Sequence, residues 1–232
     1  ETRHELDQAG SSSVSESLVG GVYAGYRGDN LTVNLVGFTS ITDDKYESSR
    51  NLTRIGQTLA AAATSSTFGS HYGAKLTVSY KIPYRGFDFS PVASLQHLRW
   101  DADAFAEENG ALFNLRVAEQ SATSLRSQLG LRVSRNVRVF RGGSYRFAAF
   151  GLWQREFEDD SRGITASFAD PTFATGQWTV RTTRPEADSL LLGANVDVDL
   201  TDHAQLNLAY TEERGGIVEH STALSIGLRI QF

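Results

Sequence analysis

The chain has 232 residues, with 22 Lys and Arg against 27 Asp and Glu, and its formal net charge is −5. Hydrophobic residues make up 40% and charged residues 21%, a composition too apolar for a disordered chain. The chain also lacks the surplus of basic residues that nucleic-acid binding requires. Cysteine is absent, and this excludes disulfide scaffolds, thiolate zinc sites and cysteine nucleophiles.

The distribution of apolar residues argues against a membrane helix but not against a membrane sheet. No apolar run approaches the roughly 20 residues that a spanning helix needs. In a transmembrane β-barrel, lipid-facing residues alternate with lumen-facing ones, so no long apolar run is expected. The composition is therefore compatible with a barrel.

Apolar residues alternate with small or polar ones along most of the chain, which is typical of β-strands because successive side chains point to opposite faces. The segments hold 11 to 15 residues or more, whereas a globular strand has about 5 or 6 and a tilted membrane strand about 9 to 11. Their length favours a membrane sheet. In chain order the nine segments are roughly 15–27, 30–43, 68–82, 87–101, 119–135, 144–160, 178–200, 203–214 and 219–232.

Three of these segments have less regular faces. In 15–27 the apolar face is either the one with Leu18 or the one with Val19. In 87–100 the apolar set changes sides partway along, which predicts a β-bulge, and in 144–158 the pattern assigns no face. Aromatic residues near segment ends suit the girdles found at membrane interfaces. They are Tyr80, Trp100, Tyr210 and Phe232.

Short polar connections alternate with long ones, an asymmetry typical of outer-membrane barrels. Turn-forming residues occupy the short connections. These are Gly28–Asn30, Tyr84–Gly86, Arg141–Gly143 and Thr201–Asp202. The long connections run from Thr42 to Gly69, from Asp101 to Gln120 and from Asp159 to Gln177. Within the first of them, the alanine run Leu59–Ala63 predicts a short helix.

The polar faces of the segments carry charges of both signs, which predicts a lumen lined by solvated or paired charges. Such a wall is either a functional surface, meaning a polar conduit or a contact surface for a plug, or simply a solvated and cross-paired interior. The candidate lumen-lining residues are Lys75, Lys81, Arg126, Arg132, Asp197, Asp199, Glu219 and Arg229.

Catalytic and metal sites find little support in the sequence. The five histidines stand at no recognised metal spacing. His97 with a loop carboxylate would be the pair to test for a barrel-embedded hydrolase, since such enzymes need a base within hydrogen-bond reach of its partner. Acidic pairs such as Glu107–Glu108 lie in connections, where solvating charge explains them better than calcium binding. We therefore expect no catalytic residue, cofactor or resident metal.

Several short segments resemble those of a known family. They are Phe89–Leu95 (FSPVASL), Asp103–Gly110 (DAFAEENG), Leu125–Arg132 (LRSQLGLR), Trp153–Asp159 (WQREFED), Leu206–Tyr210 (LNLAY) and Gly227–Phe232 (GLRIQF). Upstream, Gly21–Tyr26 (GVYAGY) and Leu31–Leu35 (LTVNL) fit the same pattern. In order and spacing the set resembles the translocator barrel of the type V autotransporter family.

The resemblance implies an all-β, antiparallel, up-and-down transmembrane barrel in the bacterial outer membrane, with twelve strands in the full domain and a helix through the lumen. We expect residues 1–232 to form this domain, with 1–14 as an extracellular loop and strand top and the first strands missing from this chain. The implied role is to translocate or anchor an upstream passenger. A stand-alone porin-like or structural barrel, whose long loops bind a surface partner, is the alternative. Implied partners are outer-membrane lipids, the barrel-assembly machinery and the passenger, without nucleic acid.

The C-terminal segment carries a further expectation. Phe232 resembles the terminal aromatic residue of the family, which implies recognition by the barrel-assembly machinery together with Leu228 and Ile230. From the residues alone, an apolar strand at a sheet edge must pair with another strand or aggregate.

Overall fold

The computed structural model describes residues 2–6, 11–54, 57–110, 114–138, 144–158, 161–170, 176–182, 187–201, 203–215 and 220–230. These residues form antiparallel β-sheet almost throughout, which confirms the all-β fold class. The strands are β1 (Thr2–Leu6), β2 (Ser11–Arg27), β3 (Leu31–Arg54), β4 (Gln57–Tyr80), β5 (Ile82–Tyr84), β6 (Phe87–Ala102), β7 (Phe105–Ala106), β8 (Leu115–Val117), β9 (Gln120–Arg138), β10 (Ser144–Glu156), β11 (Gly163–Phe168), β12 (Gln177–Arg181), β13 (Asp188–Thr201), β14 (Ala204–Gly215) and β15 (His220–Ile230). Among the described residues, no helix is long and apolar enough to cross a membrane.

One large sheet forms a wall that curls into a half-barrel. Its strand order is β1-β2-β3-β4-β6-β9-β10-β13-β14-β15, so successive long strands lie side by side, and β5 pairs with β6 in the register of β4. Ten positions of the wall are thus filled by the described part of the chain, and there β1 and β15 do not pair with each other. The twelve-strand barrel stays a prediction.

The short connections lie at one end of the wall and close as tight turns. At Tyr84–Phe87, Arg85 has φ 48° and Gly86 has φ 79°, the pair of left-handed residues that a two-residue hairpin loop needs. At the next turn the Gly28 amide donates to the Leu31 carbonyl at 2.8 Å. Both turns confirm the sequence prediction.

A proline explains why β4 and β5 are separate strands. Tyr80 ends β4 opposite Pro91 in the register shared with β6, and a proline nitrogen has no hydrogen to donate to the ladder. The Lys81 amide instead donates to the Asn30 carbonyl at 2.7 Å. The break therefore joins the end of β4 to the neighbouring turn.

The two faces of the wall follow from the register. We call the face that carries Lys75 and Arg126, which lie in one row of neighbours, the lumen face, and the opposite face the outer face. On the lumen face, Gln154 of β10 donates to Glu213 of β14 at 2.8 Å, reaching over β13. Side chains of non-adjacent strands meet only on the concave side of a curved sheet. The lumen face is therefore concave.

The register also settles the segments whose faces the sequence left open. On β2, Leu18 lies on the outer face, while Val19 lies in a row with Ser40 on the lumen face. On β10, Phe147 and Trp153 lie on the outer face, and Gln154 lies on the lumen face. In both strands the face opposite the lumen carries the larger share of exposed apolar side chains.

The bulge predicted in 87–100 is wrong. β6 pairs with β4 and with β9 without a shift of register. Leu98 and Trp100 are lumen-facing by plain alternation, and the Trp100 ring lies 6.3 Å from that of His71. Trp100 faces the lumen and is therefore no girdle residue. At this end the lumen face is itself partly apolar. Tyr80 and Tyr210 do lie on the outer face, 49% and 42% exposed.

The long loop predicted between Thr42 and Gly69 is also wrong, as is the helix within it. β3 and β4 pair from Leu31–Tyr80 to Arg54–Gln57 as one long hairpin. Pairing along both strands outweighs the helix propensity of alanine, which is the highest of any residue but differs from that of other ordinary residues by less than about 1 kcal/mol. The small side chains have a packing role: Ala63 is 2% exposed, and a Cβ added at Gly110 would lie 3.0 Å from its Cβ.

The segment predicted at 178–200 is two strands in different sheets, because β12 ends at Arg181 and β13 begins at Asp188. The two other long connections contribute β7, β8 and β11, which join β12 in a four-stranded sheet of order β12-β11-β8-β7. This small sheet contacts the long hairpin, where the rings of Tyr46 and Phe105 stack 6.0 Å apart. The long connections therefore fold together at the end opposite the tight turns.

Adjacent residues of β4 test the assignment of the faces. Leu76 lies on the outer face and Thr77 on the lumen face. Leu76→Arg should lower the free energy of unfolding in lipid vesicles by about 2–4 kcal/mol, because a cation would enter the hydrocarbon. Thr77→Arg should cost much less, since its side chain meets polar neighbours. Urea titrations of both variants measure the difference, and equal losses would contradict a lipid-facing outer surface.

Candidate functional site

The candidate site is the lumen face of the large sheet. The register lays six of the predicted residues on this face. They are Lys75, Arg126, Arg132, Asp197, Asp199 and Arg229. Lys81 lies in the break between β4 and β5 and lines a cavity on the same side. Glu219 lies outside the described residues.

A glutamine network crosses the middle of the lumen face, and we define it by Lys75, Gln128, Gln154, Ser189 and Glu213. Lys75 Nζ donates to Gln128 Oε1 at 2.9 Å, and the Gln128 amide donates to Gln154. Gln154 Nε2 then donates to Ser189 at 3.0 Å and to Glu213 at 2.8 Å. The chain connects β4, β9, β10, β13 and β14, so a polar band follows the curvature of the wall.

Glu156 is the most enclosed acid of this region, at 8% exposed. Its carboxylate accepts hydrogen bonds from the Ser124 hydroxyl at 2.6 Å and the Leu125 amide at 2.8 Å. Arg126 lies 3.5 Å from it and 4.0 Å from Glu213. A carboxylate with several donors and a cation can stay charged away from bulk water. This pairing therefore keeps a charged group in the wall.

The predicted acids of β13 are held by neutral side chains. Asp197 accepts from Asn207 at 2.6 Å and from Asn195 at 3.3 Å. Asp199 accepts from Gln205 at 3.0 Å and also from Ser144. Amide and hydroxyl donors fix the carboxylates without neutralising them. Both carboxylates are therefore fixed in position on the lumen face.

The cations nearer the tight turns are also held by neutral groups. Arg132 Nη2 donates to Asn195 Oδ1 at 2.9 Å, and Arg146 Nε donates to Asn136 Oδ1 at 2.9 Å. Both arginines line a cavity of about 440 Å³ that also includes Lys81. An amide oxygen orients each guanidinium without forming an ion pair, and Arg146 also lies opposite Asp197 in the register and attracts Asp199 electrostatically. The lining of this cavity carries more cations than carboxylates.

Three other predicted residues lie away from the lumen. His97 is on the outer face, in a row with Ala74 and Leu125, and its ring lies 6.3 Å from that of Tyr72. Regular alternation along β6 puts it on the side opposite the lumen carboxylates that the structure describes, so His97 does not pair with any of them. Leu228 and Ile230 are on the outer face of β15, and Phe232 lies outside the described residues.

The sequence search for charges missed the residues that connect the lumen face. Gln128 and Gln154 are 7% and 2% exposed and are neutral, so a search for ionisable groups passes over them. Glu213 belongs to an acidic pair and Glu156 lies just before the acidic run 158–160, so in the sequence both resemble the solvating charges of connections. Strict alternation from Arg126 through Gln128 would have assigned the glutamine to the lumen side.

The lumen face is a polar surface. Its polar groups are distributed over six strands, and the described residues contain no cluster of His, Asp and Glu side chains able to hold a metal ion. Such a face can solvate a polar chain or ion that passes along it. The apolar outer face can meet hydrocarbon at the same height.

Comparisons with known proteins agree with this architecture. The solved translocator domain of the autotransporter NalP from Neisseria meningitidis matches with a TM-score of 0.58 and 15% identity, over 98% of this chain and 83% of that one. The β-domain of the Bordetella autotransporter BrkA (TM-score 0.48, 13% identity, 96% and 93% covered) and the transport unit of AIDA-I from Escherichia coli (0.47, 13%, 96% and 83%) are also similar. Among curated proteins, the comparison found no match.

The family comparison covers most of the chain. The model of the autotransporter beta-domain matches residues 1–211, which include the glutamine network apart from Glu213, the strands of the wall from β1 to β13 and most of β14. The chain therefore belongs to the autotransporter β-domain family.

Proposed function

We propose that the lumen face lines the path along which an upstream passenger crosses, and that residues 1–232 act as one barrel domain in doing so. Members of the autotransporter β-domain family are outer-membrane translocators or anchors of Gram-negative bacteria, and this is the role of the present chain. We assign the passage of the passenger to the residues of the lumen face. The glutamine network is the observation that supports it.

The mechanism is physical and needs no reacting group. An unfolded chain carries unsatisfied amide and carbonyl groups, and moving these through hydrocarbon costs several kcal/mol each. A wall that offers Gln, Ser, Lys and Glu side chains keeps water and hydrogen-bond partners beside the chain. Folding of the passenger outside the cell then opposes its return. The lumen thereby lowers the barrier, and passenger folding sets the direction.

The outer face supplies the anchor. Large apolar side chains on it are exposed in several consecutive strands. On β15, Leu224 and Ile226 are 75% and 71% exposed. Burying such side chains in lipid gains about 25 cal/mol per Å² of apolar surface. The domain is therefore held in the membrane while the passenger emerges.

We further propose that the apolar end of β15 is the segment that the barrel-assembly machinery recognises. Leu228 and Ile230 continue the exposed outer row of this strand, at 62% and 53%, and Phe232 extends the same alternation in the sequence. An edge strand of this kind offers a partner both unpaired backbone groups and a row of exposed apolar side chains. These three residues are the proposed assembly signal.

Closing the polar band should impair transport. Ser94→Leu combined with Ser189→Leu removes a donor to Gln128 and one to Glu213, which costs about 1 kcal/mol for each lost hydrogen bond because both acceptors keep another donor. The same change places two large apolar side chains in the polar band. With a reporter passenger fused upstream, surface display measured by protease accessibility should fall.

The matched control is Ala93→Leu, which adds the same side chain to the outer face next to Ser94. Its display should equal that of the wild type. If the double variant folds, as judged by heat-modifiable gel migration, and still displays the reporter fully, the proposed path along the lumen face is wrong.

The assembly signal is tested at the terminal aromatic. Phe232→Ala should reduce the amount of folded barrel in the outer membrane, because the terminal row loses its largest apolar group. Phe232→Tyr keeps the ring and should assemble like the wild type. Membrane fractions resolved on a gel without heating measure the folded species, and normal amounts for the alanine variant would remove Phe232 from the signal.

A further inference from the structure

The cavity at the tight-turn end of the lumen is distinct from the glutamine network. It measures about 440 Å³, and four cations and two carboxylates line it. The cations are Arg27, Lys81, Arg132 and Arg146, and the carboxylates are Asp29 and Asp88. Among the side chains that the structure describes, none of these four cations forms an ion pair with a carboxylate.

The charges of this cavity are oriented rather than merely exposed. Arg132 reaches over β10 to Asn195, and Arg146 is fixed by Asn136, each through a 2.9 Å hydrogen bond to an amide oxygen. A guanidinium offers five donors in a rigid fork. One donor of each arginine is used by its amide, and the others remain for a carboxylate ligand. The cavity therefore offers oriented guanidinium donors to an anion, although carboxylates lie near them and weaken the attraction.

The position of the cavity narrows the possible ligand. It includes the turn Gly28–Asn30, and short turns are the periplasmic end of an outer-membrane barrel. Its strand residues, such as Ser79 and Arg132, lie on the lumen face, so the wall separates them from lipid headgroups. A ligand must reach the cavity through the lumen mouth from the periplasm.

The spread of the cations favours a chain over a single small ion. They come from the end of β2, the break after β4, and strands β9 and β10. Hydroxyl side chains of Thr32, Ser79, Ser90 and Ser134 lie in the lining with them. A volume of this size falls in the range of sites that bind ligands of many atoms. Several separated carboxylates on one flexible ligand match this layout.

We propose that this cavity binds acidic side chains of a polypeptide that enters the lumen from the periplasmic end. The inference rests on the proposed function, because the passenger is the polypeptide that uses this path. Charge-assisted hydrogen bonds from guanidinium to carboxylate give the site its strength. The two lining carboxylates favour weak, reversible binding, which lets a chain move on.

The probe is a fluorescein-labelled peptide of ten glutamates, compared with ten glutamines, and binding to the detergent-solubilised domain is followed by fluorescence anisotropy. At low ionic strength the glutamate peptide should bind at least tenfold more tightly than the glutamine peptide. Affinity should fall steeply as salt rises past 0.1 M, where the screening length is about 10 Å. Inorganic phosphate at matched charge should compete poorly.

Substitutions of the cavity's arginines test whether the glutamate peptide binds there. Arg132→Gln combined with Arg146→Gln should weaken glutamate-peptide binding about tenfold or more. Arg135→Gln is the matched control, since Arg135 lies on the outer face of the same strand with its guanidinium 4.9 Å from the Phe87 ring. It should bind as the wild type does. Lys81→Gln alone gives a smaller loss and serves if the double variant does not fold.

The outcomes separate this inference from the proposed function. If the wild type displays a reporter passenger but binds both peptides equally, or binds phosphate as well as the glutamate peptide, the acidic-chain site is wrong and transport along the lumen stands. If the double variant and Arg135→Gln bind alike, the cavity is wrong as the location. If the wild type displays no reporter, the proposed function fails, and the passenger is lost as the ligand.

Discussion

The whole structure depends on one constraint: within hydrocarbon, each backbone amide and carbonyl must find its partner in a neighbouring strand. β3 and β4 satisfy it over 24 residues each, and β6 satisfies it on both edges without a register shift. Continuous register makes alternation strict, because slipping by one residue would exchange the two faces. An apolar outer face and a polar lumen face are thus consequences of the same hydrogen-bond ladder. The transport role follows from that division.

Curvature gives the lumen face a second property. On the concave side, side chains from strands that are not neighbours converge, as Arg126 of β9 does on Glu213 of β14. Polar groups there can satisfy one another, and among the described residues no buried side-chain nitrogen or oxygen lacks a hydrogen-bond partner. At the tight-turn end, Arg132 and Arg146 donate to amide oxygens. The middle of the lumen is therefore internally satisfied, while the guanidinium groups at the tight-turn end keep donors for the proposed ligand.

The sequence predicted the fold well where alternation is strict and less well where it is not. In β13, β14 and β15, apolar and polar residues alternate one by one, so the sequence alone predicted which residues share a face. The region 42–69 failed because serine, threonine and alanine carry almost no contrast between faces, so a paired hairpin resembles a loop. The prediction for Trp100 failed because the lumen face also carries large apolar side chains there, Leu98 and Trp100 among them, so hydrophobicity alone does not mark the lipid side. The network of Gln128 and Gln154 depends on contacts across strands, which no single strand encodes.

The outer face records the tilt of the strands independently of the curvature. On β6 its apolar positions give way to charge at Arg99, whose row continues at Thr123 on β9. On β15 they give way at Thr222, whose row passes through Glu212 and meets β9 at Leu131, eight residues away. Eight residues span about 26 Å along a strand, and the five steps from β6 to β15 span about 24 Å across the sheet. A boundary that runs level in the membrane then requires strands tilted by about 45°, which is the inclination that closed membrane barrels adopt. The boundary between apolar and polar residues thus carries the geometry of a barrel even though the described strands form only part of its circumference.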